Sequence, residues 1–253
     1  MSSLRRMEAI PIARIPEIKP GNSIADIIVA ALRRSRLQLE SGDILVVKHK
    51  IISKAEGRMI RLDTVKPSRR AFVWGRRWHR DPRVIELALQ NARRVVRMKN
   101  GVLITETPHG FVCANSGVDL SNVDGGSSAV LLPRDPDASA RRLMRGLRRA
   151  LKLHIPVIIA DSFGRAWREG LTEAAIGVAG LKPLCDLRGR HDPHGYQLRA
   201  TAEAVADELA ALAGLVCGKL DRVPGCIIRG FDYDSGRGSA SELIRPARRD
   251  LFR

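Results

Sequence analysis

The chain has 253 residues, enough for one large domain or two small ones, and 44% of them are hydrophobic while 4% are aromatic. Such a composition predicts a mostly aliphatic core, and no apolar run is long enough to cross a bilayer. Because no apolar signal core follows Arg5 and Arg6, we expect a cytoplasmic protein that does not engage a membrane.

The formal net charge of +17 favours anionic partners such as nucleotides, polycarboxylates or nucleic acid. The arginines are spread along the chain in pairs, and no aromatic-rich RNA-binding signature lies among them. We therefore interpret most of them as a solvated basic surface and do not expect a nucleic-acid partner. The 4 cysteines form no C-x-x-C pair and no zinc-finger spacing, so they are expected to be free thiols.

In the first third of the chain, the sequence predicts alternating strands and helices. A short strand is expected within residues 7–19, a helix over 24–32, where apolar residues recur at helical spacing, and a strand over 44–47. Residues 48–54 look like a polar, basic continuation of that strand. In it, Lys54 stands among small residues and could reach a phosphate as a point charge. A surface lysine is the commoner explanation, and no P-loop pattern is present.

The middle of the chain contains the clearest amphipathic pattern. Residues 62–80 are rich in arginine and are interpreted as a loop or an irregular helix at the surface. A helix is expected over 84–92, starting near Pro82, which suits a first helical turn. Strands are expected over 102–105 and 129–132. The amphipathic helix covers 140–151, with arginines opposite its apolar stripe.

Two stretches, residues 109–122 and 156–170, carry the strongest chemical signal. In each, an apolar run ends in an aspartate, Asp119 or Asp161, followed by small or glycine-containing sequence. In α/β proteins, ligands usually bind at the edge of the sheet where strands end. Two such carboxylates could hold one hard cation, which would in turn hold a phosphate. The alternative is that each aspartate caps a turn or helix.

The last third of the chain begins with small apolar residues, 173–180, whose glycines allow close approach of backbone or ligand. A long helix is expected over 198–217, with Asp207 and Glu208 either facing solvent or completing a charged site. A last strand is expected over 226–230. Residues 233–253 are rich in Gly, Ser and Arg and are expected to be a mobile end.

Taken together and in order, several motifs resemble those of the coenzyme F420-0:gamma-glutamyl ligases, over residues from about 8 to 245. They are Ile52-Ser-Lys-Ala-Glu-Gly-Arg58, Cys113-Ala-Asn-Ser-Gly-Val-Asp-Leu-Ser-Asn-Val123, Asp161-Ser-Phe-Gly-Arg-Ala-Trp-Arg-Glu-Gly170, Ala175-Ile-Gly-Val-Ala-Gly180 and Ala204-Val-Ala-Asp-Glu-Leu209. The resemblance implies an α+β fold of mixed sheets with flanking helices, in an intertwined homodimer. It also implies a domain over 1–245, with 246–253 left as a basic tail.

The activity implied by the resemblance is the GTP-dependent addition of L-glutamate to the lactyl carboxylate of F420-0, with Mg²⁺ or Mn²⁺ and with K⁺ as a further candidate cation. Transfer of the γ-phosphoryl group would activate the carboxylate as an acyl phosphate, which the glutamate amine then attacks. The implied metal ligands are Asp119, Asp161 and Ser162. The implied nucleotide contacts are Ile15, Pro16, Glu17, His49, Lys50, Lys54, Asn122, Gly218 and Lys219.

Three residues are candidates for catalysis: Lys54, Arg165 and Arg168. Lys54 would neutralise phosphate charge together with the metal. Arg165 and Arg168 would bind substrate carboxylates or the phosphodiester, because a guanidinium contacts both bidentately. A structural salt bridge is an equally good explanation for each of these arginines.

The sequence departs from the family pattern at three positions. Arg14 stands where glycine is frequent, Ser162 stands where threonine is common, and Lys219 lies near a position that in some members supplies an oxygen to a second metal. A lysine cannot bind that metal. Two other functions stay open: a nucleotide-dependent amide ligase with a different carboxylate acceptor, and a non-catalytic, basic nucleic-acid-binding protein.

Overall fold

The computed structural model describes residues 6–121 and 124–250. Its strands are Glu8–Pro11 (β1), Ile44–Lys48 (β2), Met59–Arg61 (β3), Arg94–Lys99 (β4), Val102–Glu106 (β5), Val112–Ala114 (β6), Ser128–Val130 (β7), Val157–Arg165 (β8), Arg168–Ala179 (β9), Cys185–Asp186 (β10), Ala202–Glu203 (β11) and Gly225–Arg229 (β12). Its α-helices are Ile24–Arg34 (α1), His49–Ala55 (α2), Arg69–Trp78 (α3), Pro82–Gln90 (α4), Pro136–Leu151 (α5) and Val205–Cys217 (α6). The expected α+β fold with mixed sheets and flanking helices is confirmed.

The largest sheet has the strand order β1-β12-β2-β8-β9. Its β2 and β8 run parallel, whereas β1–β12, β12–β2 and β8–β9 are antiparallel. Residues Ile44 to Val47 of β2 are all buried. A strand buried along its length is typical of a sheet covered on both faces, and α5 and α6 both pack on this sheet, with α1 against α5.

A second hydrophobic cluster lies under the smaller sheets. It joins the β4-β5-β6 sheet and the β3–β7 pair to α4, around Leu62, Ile85, Leu103 and Leu131. Helix α3 packs on α4. The described residues therefore form two apolar clusters, and residues from both neighbourhoods line one large cavity.

Several helices begin where a side chain satisfies the free backbone N–H groups of the first turn. Ser23 accepts from Asp26 N at α1, Asp81 accepts from Arg83 N at α4, and Asp135 accepts from Ala138 N at α5. Proline follows the cap at both α4 and α5, in the position where its missing N–H costs nothing. These signals explain why the predictions for these helices agree with the structure to within a few residues.

Three predictions of local structure are wrong. Residues 48–54 do not continue the strand, because α2 begins at His49 directly after β2. Residues 62–80 are not irregular: α3 is a regular helix whose cap, Ser68, accepts from Ala71 N. The last long helix begins at Val205 instead of residue 198, since β11 pairs with β10 just before it.

The C-terminal segment is also more ordered than expected. Ala240 is 1% exposed, and Ser239 Oγ donates to Asp137 Oδ2 over 2.6 Å, which anchors the segment on α5. A capping box formed by Ser239 and Glu242 stabilises the start of a short 3-10 helix there. In the part of the chain that the structure describes, no helix is long and apolar enough to cross a membrane.

Candidate active site

A cavity of about 840 Å³ lies where β2 ends, beside residues 160–162 in the middle of β8. These strands are parallel, with Lys48 opposite Ala160, so the residues that follow β2 emerge next to Asp161 and Ser162 of β8. The cavity is lined by 15–18, 48–51, Lys54, Asp119, Leu120, 124–126, 160–162, Glu173, 218–219 and 222–224. Six separate segments of the described chain therefore meet at this cavity: 15–18, 48–54, 119–120 with 124–126, 160–162, Glu173 and 218–224.

Glu173 is the central acid of the sheet side of the cavity. Its Oε1 lies 2.5 Å from Lys48 Nζ and accepts from Ser162 Oγ over 2.7 Å. Ser162 pairs with Glu173 in the β8–β9 register, so the sheet itself sets this contact. Glu173 Oε2 is buried and has no hydrogen-bond partner among the described residues. An unpaired buried carboxylate oxygen is costly, which favours a cationic or donor ligand at this point.

Asp161 and His49 form a second pair in the same wall. His49 Nε2 lies 3.3 Å from Asp161 Oδ1, and its Nδ1 lies 3.3 Å from Ser53 Oγ. Despite this distance, the buried Nε2 has no hydrogen-bond partner in the described residues. Asp161 Oδ1 also accepts from Ser162 N over 2.8 Å, which fixes the carboxylate at the strand.

Asp119 and Lys50 form a third pair in the lining of the cavity. Lys50 Nζ lies 2.7 Å from Asp119 Oδ2 and from both Ser121 O and Ser121 Oγ. Burial acts to raise the pKa of Asp119, but the hydrogen bonds from Lys50 and from Ser121 outweigh it and hold the pKa below its ordinary value. Asp119 is therefore ionised at neutral pH and anchored through α2.

Lys54 is mostly buried, whereas most lysines lie at the protein surface. Its side chain is 11% exposed, and its Nζ lies 2.5 Å from Oε1 of Glu17, whose side chain is 75% exposed. This short ion pair therefore holds the loop after β1 against α2. A ligand phosphate that displaced the Glu17 carboxylate would find a positioned ammonium group.

The segment after α6 completes the rim. Lys219 Nζ donates to Ser162 Oγ over 3.2 Å, so an ammonium group stands beside one of the predicted metal ligands. Gly218 has φ +58°, and a Cβ there would lie 2.0 Å from Asp221 Oδ2. Only glycine fits that turn, which carries the chain from α6 back across the cavity.

The structure brings most of the predicted site residues to this one cavity. The predicted nucleotide contacts Ile15, Pro16, Glu17, His49, Lys50, Lys54, Gly218 and Lys219 all line it, as do Asp119, Asp161 and Ser162. Asn122 lies outside the described residues. Arg165 and Arg168 are exposed at the tip of the β8–β9 hairpin and are not among the lining residues. Their role in substrate binding stays a prediction.

Sequence reasoning missed Lys48, Glu173, Asp124 and Arg222, which also line the cavity. Glu173 opens the run of small apolar residues that drew attention for its glycines. A signal was present there, because one acid begins an otherwise uncharged strand segment. Lys48 is the last residue of β2, so its position matches that of Asp161 near the end of the apolar part of β8.

The oxygen donors of the cavity fit a hard divalent cation by their chemistry. Asp119, Asp161, Glu173 and Ser162 offer carboxylate and hydroxyl oxygens, and Glu173 Oε2 is buried without a hydrogen-bond partner in the described part of the chain. Within that part, no three His, Cys, Asp or Glu side chains are already gathered as a ligand set. Lysine ammonium groups instead pair with Asp119 and Glu173. A bound cation would therefore have to compete with these amines.

Arg14, the first departure from the family pattern, has φ +63°. This is the left-handed region that glycine adopts freely and a long side chain does not. Its guanidinium donates to Arg34 O over 3.0 Å, while Arg34 donates back to Arg14 O over 3.3 Å. The reciprocal contact with the end of α1 holds the loop in the strained conformation without glycine.

Known proteins of similar sequence identify the family of this chain. The family model described as F420-0:Gamma-glutamyl ligase matches residues 12–230. A protein of Methanothermobacter thermautotrophicus named coenzyme F420:L-glutamate ligase is 44% identical over 247 residues, covering 96% of this chain and 98% of its own. Proteins of the same name from Methanopyrus kandleri and Methanocaldococcus jannaschii are 41% and 39% identical; the alignments cover 98% of this chain in both cases and 97% and 98% of theirs. The chain belongs to the F420-0:gamma-glutamyl ligase family.

Proposed function

We propose that this protein adds L-glutamate to the lactyl carboxylate of coenzyme F420-0 in a reaction that consumes GTP and requires a divalent cation, Mg²⁺ or Mn²⁺, with K⁺ as a further candidate. The relatives named coenzyme F420:L-glutamate ligase support the acceptor and the amino acid. The observation that carries the chemistry is the shared cavity, in which Lys48, Lys50, Lys54 and Lys219 face Asp119, Asp161 and Glu173.

The proposed sequence of steps has two parts. A carboxylate is a poor acyl donor, so an oxygen of the lactyl carboxylate first attacks the γ-phosphorus of GTP, giving an acyl phosphate and GDP. The amine of L-glutamate then attacks the acyl carbon, forming the amide bond, releasing phosphate and losing a proton. Neither step needs a nucleophilic side chain. The protein has to position three anionic reactants and neutralise their charge.

The lysines of the cavity suit that task. Lys54 and Lys50 lie on one face of α2 and are positioned by Glu17 and Asp119 in the described structure. With a nucleotide bound, their ammonium groups would contact phosphate oxygens and reduce the charge repulsion as the phosphoryl group transfers. Lys219, next to Ser162, would do the same.

A divalent cation, when bound, would supply Lewis-acid stabilisation of charge on the phosphoryl oxygens. Asp119, Asp161 and Ser162 are the residues we propose to hold it, with Glu173 added by the structure. His49 beside Asp161 would keep that carboxylate oriented.

A turnover assay with F420-0, L-glutamate, GTP and Mg²⁺ or Mn²⁺ tests the proposal, with glutamylated product followed by mass. We expect product from the wild type and none from Asp119→Ala, which should still fold. Nucleotide and metal binding without product would point to another carboxylate acceptor. No turnover together with salt-dependent RNA or DNA binding that survives Asp119→Ala would instead favour a nucleic-acid-binding protein.

We also propose that the protein is a homodimer, as its family resemblance implies. Trp167 and Leu171 at the tip of the β8–β9 hairpin are 79% and 63% exposed, so the tip offers apolar surface to a second copy. The same hairpin carries Arg165, which is three residues beyond the proposed metal ligand Ser162, a distance of roughly 10 Å along an extended strand. Sedimentation velocity of the wild type and of Trp167→Ser with Leu171→Ser should show a dimer that the double substitution weakens; a wild-type monomer would contradict the proposal.

A further inference from the structure

A second, smaller cavity of about 200 Å³ lies where the segment after α2 meets the β5–β6 connection and the residues after β7. It shares none of its lining with the large cavity. Its lining residues are Arg58, Asn91, Thr107, Pro108, His109, Ser116, Leu132 and Arg134. Arg58 and His109 belong to stretches that the sequence singled out, and the proposed ligase chemistry uses neither of them.

The cavity combines positive charge with an absence of acids: none of its described lining residues is Asp or Glu. Arg58 donates from Nε to Leu132 O over 3.1 Å and from Nη2 to Asn91 Oδ1 over 3.2 Å, so both acceptors are neutral. Burial lowers the pKa of Arg58 from its ordinary value, and repulsion from Arg134 lowers it further. Two guanidinium groups thus act on one another across a polar cavity.

The acid that raises the pKa of Arg58, Glu56, already has other partners. Glu56 lies beside the cavity but does not line it; its Oε1 lies 2.5 Å from Arg142 Nη2 and also accepts from Ser139 Oγ. The charge of Arg58 is therefore balanced only indirectly within the described structure.

His109 adds an unpaired polar atom. Its Nε2 lies 3.0 Å from the carbonyl oxygen of Arg134, and since a carbonyl only accepts, Nε2 must carry a proton. Its Nδ1 is buried and has no hydrogen-bond partner in the described residues. A ligand or a water molecule could satisfy a buried ring nitrogen in this state.

We propose that this cavity binds a small tetrahedral oxyanion of the phosphate or sulfate type between Arg58 and Arg134, with His109 Nδ1 as a third contact in the imidazolium form, in which Nδ1 also carries a proton and donates. The flat, forked guanidinium groups match oxyanions in shape, and their two charges balance a dianion. The volume lies below the roughly 300–1,000 Å³ of pockets for drug-sized ligands, so it suits a small ion better than a nucleotide. This proposal does not depend on the proposed ligase function.

The position of the site relative to α2 gives it a physical link to the large cavity. Helix α2 carries Lys50 and Lys54 into the large cavity, and Arg58 follows the same helix, with its N–H donating to Ser53 O over 2.8 Å. His109 also stacks on Phe111, which meets Phe163 edge-on one residue after Ser162.

The test measures thermal unfolding of the full-length protein against concentration of sodium phosphate, sulfate, acetate and chloride at matched ionic strength. A ligand that binds only the folded state raises the melting temperature with its concentration. We expect phosphate and sulfate to stabilise the wild type beyond chloride. Arg134→Gln should weaken the apparent affinity about tenfold, because a charged hydrogen-bonding partner is lost.

The controls separate this site from the large cavity, which can also take phosphate. Arg145→Gln, an equal charge change at an exposed position of α5, should leave the affinity unchanged. Lys54→Gln should keep the phosphate effect, and His109→Gln should reduce it. Stabilisation that is lost in Lys54→Gln but kept in Arg134→Gln would overturn the proposal, as would equal stabilisation by acetate. Phosphate-soaked crystals should show the anion between Arg58 and Arg134, and density at Lys54 alone would contradict the site.

Discussion

Lys48 and Glu173 meet across an intervening strand, with Lys48 Nζ 2.5 Å from Glu173 Oε1 and β8 between their own strands. Both side chains are mostly buried, so neither charge can be removed without leaving the other in a poorly solvated place. The same glutamate also holds Ser162. One carboxylate therefore organises the sheet side of the cavity from three strands.

The first prediction concerns this carboxylate. Glu173→Gln should lower kcat by about 10- to 100-fold while the protein stays folded, because Lys48 loses its counter-charge and Ser162 its anionic acceptor. Glu169→Gln is the matched control, since Glu169 lies on the same strand but is exposed. Steady-state glutamylation rates check both variants, and equal loss in the two would rule out a specific role for Glu173.

The second prediction concerns the pH dependence of Asp119. Its pKa is lower in the folded protein than in the unfolded chain, so its charge stabilises the fold above the unfolded pKa, and that contribution is lost as pH falls through the folded pKa. The stability difference between the wild type and Asp119→Asn should thus be present at pH 7 and shrink towards pH 3. Urea unfolding at both pH values measures it.

The partner of Asp119 provides the control for that experiment. Lys50→Gln and the double variant close a cycle in which the two substitutions should not be additive, because the side chains are 2.7 Å apart. Additive effects would show that the ion pair contributes nothing at neutral pH.

The third prediction concerns packing beneath the site. A Cβ on Gly177 would lie 2.5 Å from the carbonyl oxygen of Pro136, the first residue of α5. Gly177→Ala should destabilise the protein by about 1–3 kcal/mol, since backbone must shift to admit the methyl group. Gly164→Ala on β8 is the control, because its Cβ would meet Leu171 Cδ2 at an ordinary 3.9 Å. Chemical denaturation should separate the two variants clearly.

The fourth prediction concerns the cysteines, which are free, as the sequence predicts. Burial, reinforced by the negative charge of Asp161, raises the pKa of Cys113 to about 12. Iodoacetamide at pH 8 should therefore label the partly exposed Cys185 well before Cys113, as peptide mass mapping would show. Faster labelling of Cys113 would mean that its surroundings open readily.

The fifth prediction concerns Asp207, for which the sequence left open a solvent-facing or a site role. Its Oδ1 accepts from Ala175 N over 2.8 Å, and burial raises its pKa above the ordinary value. An acid with a raised folded pKa destabilises the fold once ionised and has no such effect when protonated. Asp207→Asn should therefore be at least as stable as the wild type at pH 7, with the difference vanishing at low pH. A large loss of stability would show that the charge is needed.

The sequence was sufficient where one local signal decides the structure. Apolar spacing with a capping residue located α1, α4 and α5, and the apolar run before Asp161 located β8. It failed where two local signals compete. The basic residues around α2 and α3 hid short helices, because α2 is stabilised by its buried residues and α3 by its buried residues and the Ser68 cap, instead of by overall composition.

For the candidate site, the motifs gave the residues but could not give their partners. Contacts such as Lys54 with Glu17, or Lys50 with Asp119, join positions far apart in the chain, and no local pattern encodes them. Glu173 was passed over because it is a single acid in an apolar run. Arg14 was singled out as a departure from the resemblance, but its positive φ, in the region that glycine adopts freely, could not be predicted from the sequence.

The strand order of the large sheet has a consequence for how the protein is made. β12, the last strand, lies between β1 and β2, which are synthesised first. Strands β2, β8 and β9 can pair with one another earlier, but β1 cannot join the sheet until residue 229 has left the ribosome. The complete sheet and the cavity rim at 222–224 therefore cannot form on a partial chain. Such long-range pairing folds slowly. A nascent or truncated chain that lacks β12 will thus expose two early strands with unpaired edges, and is expected to depend on chaperones or to aggregate.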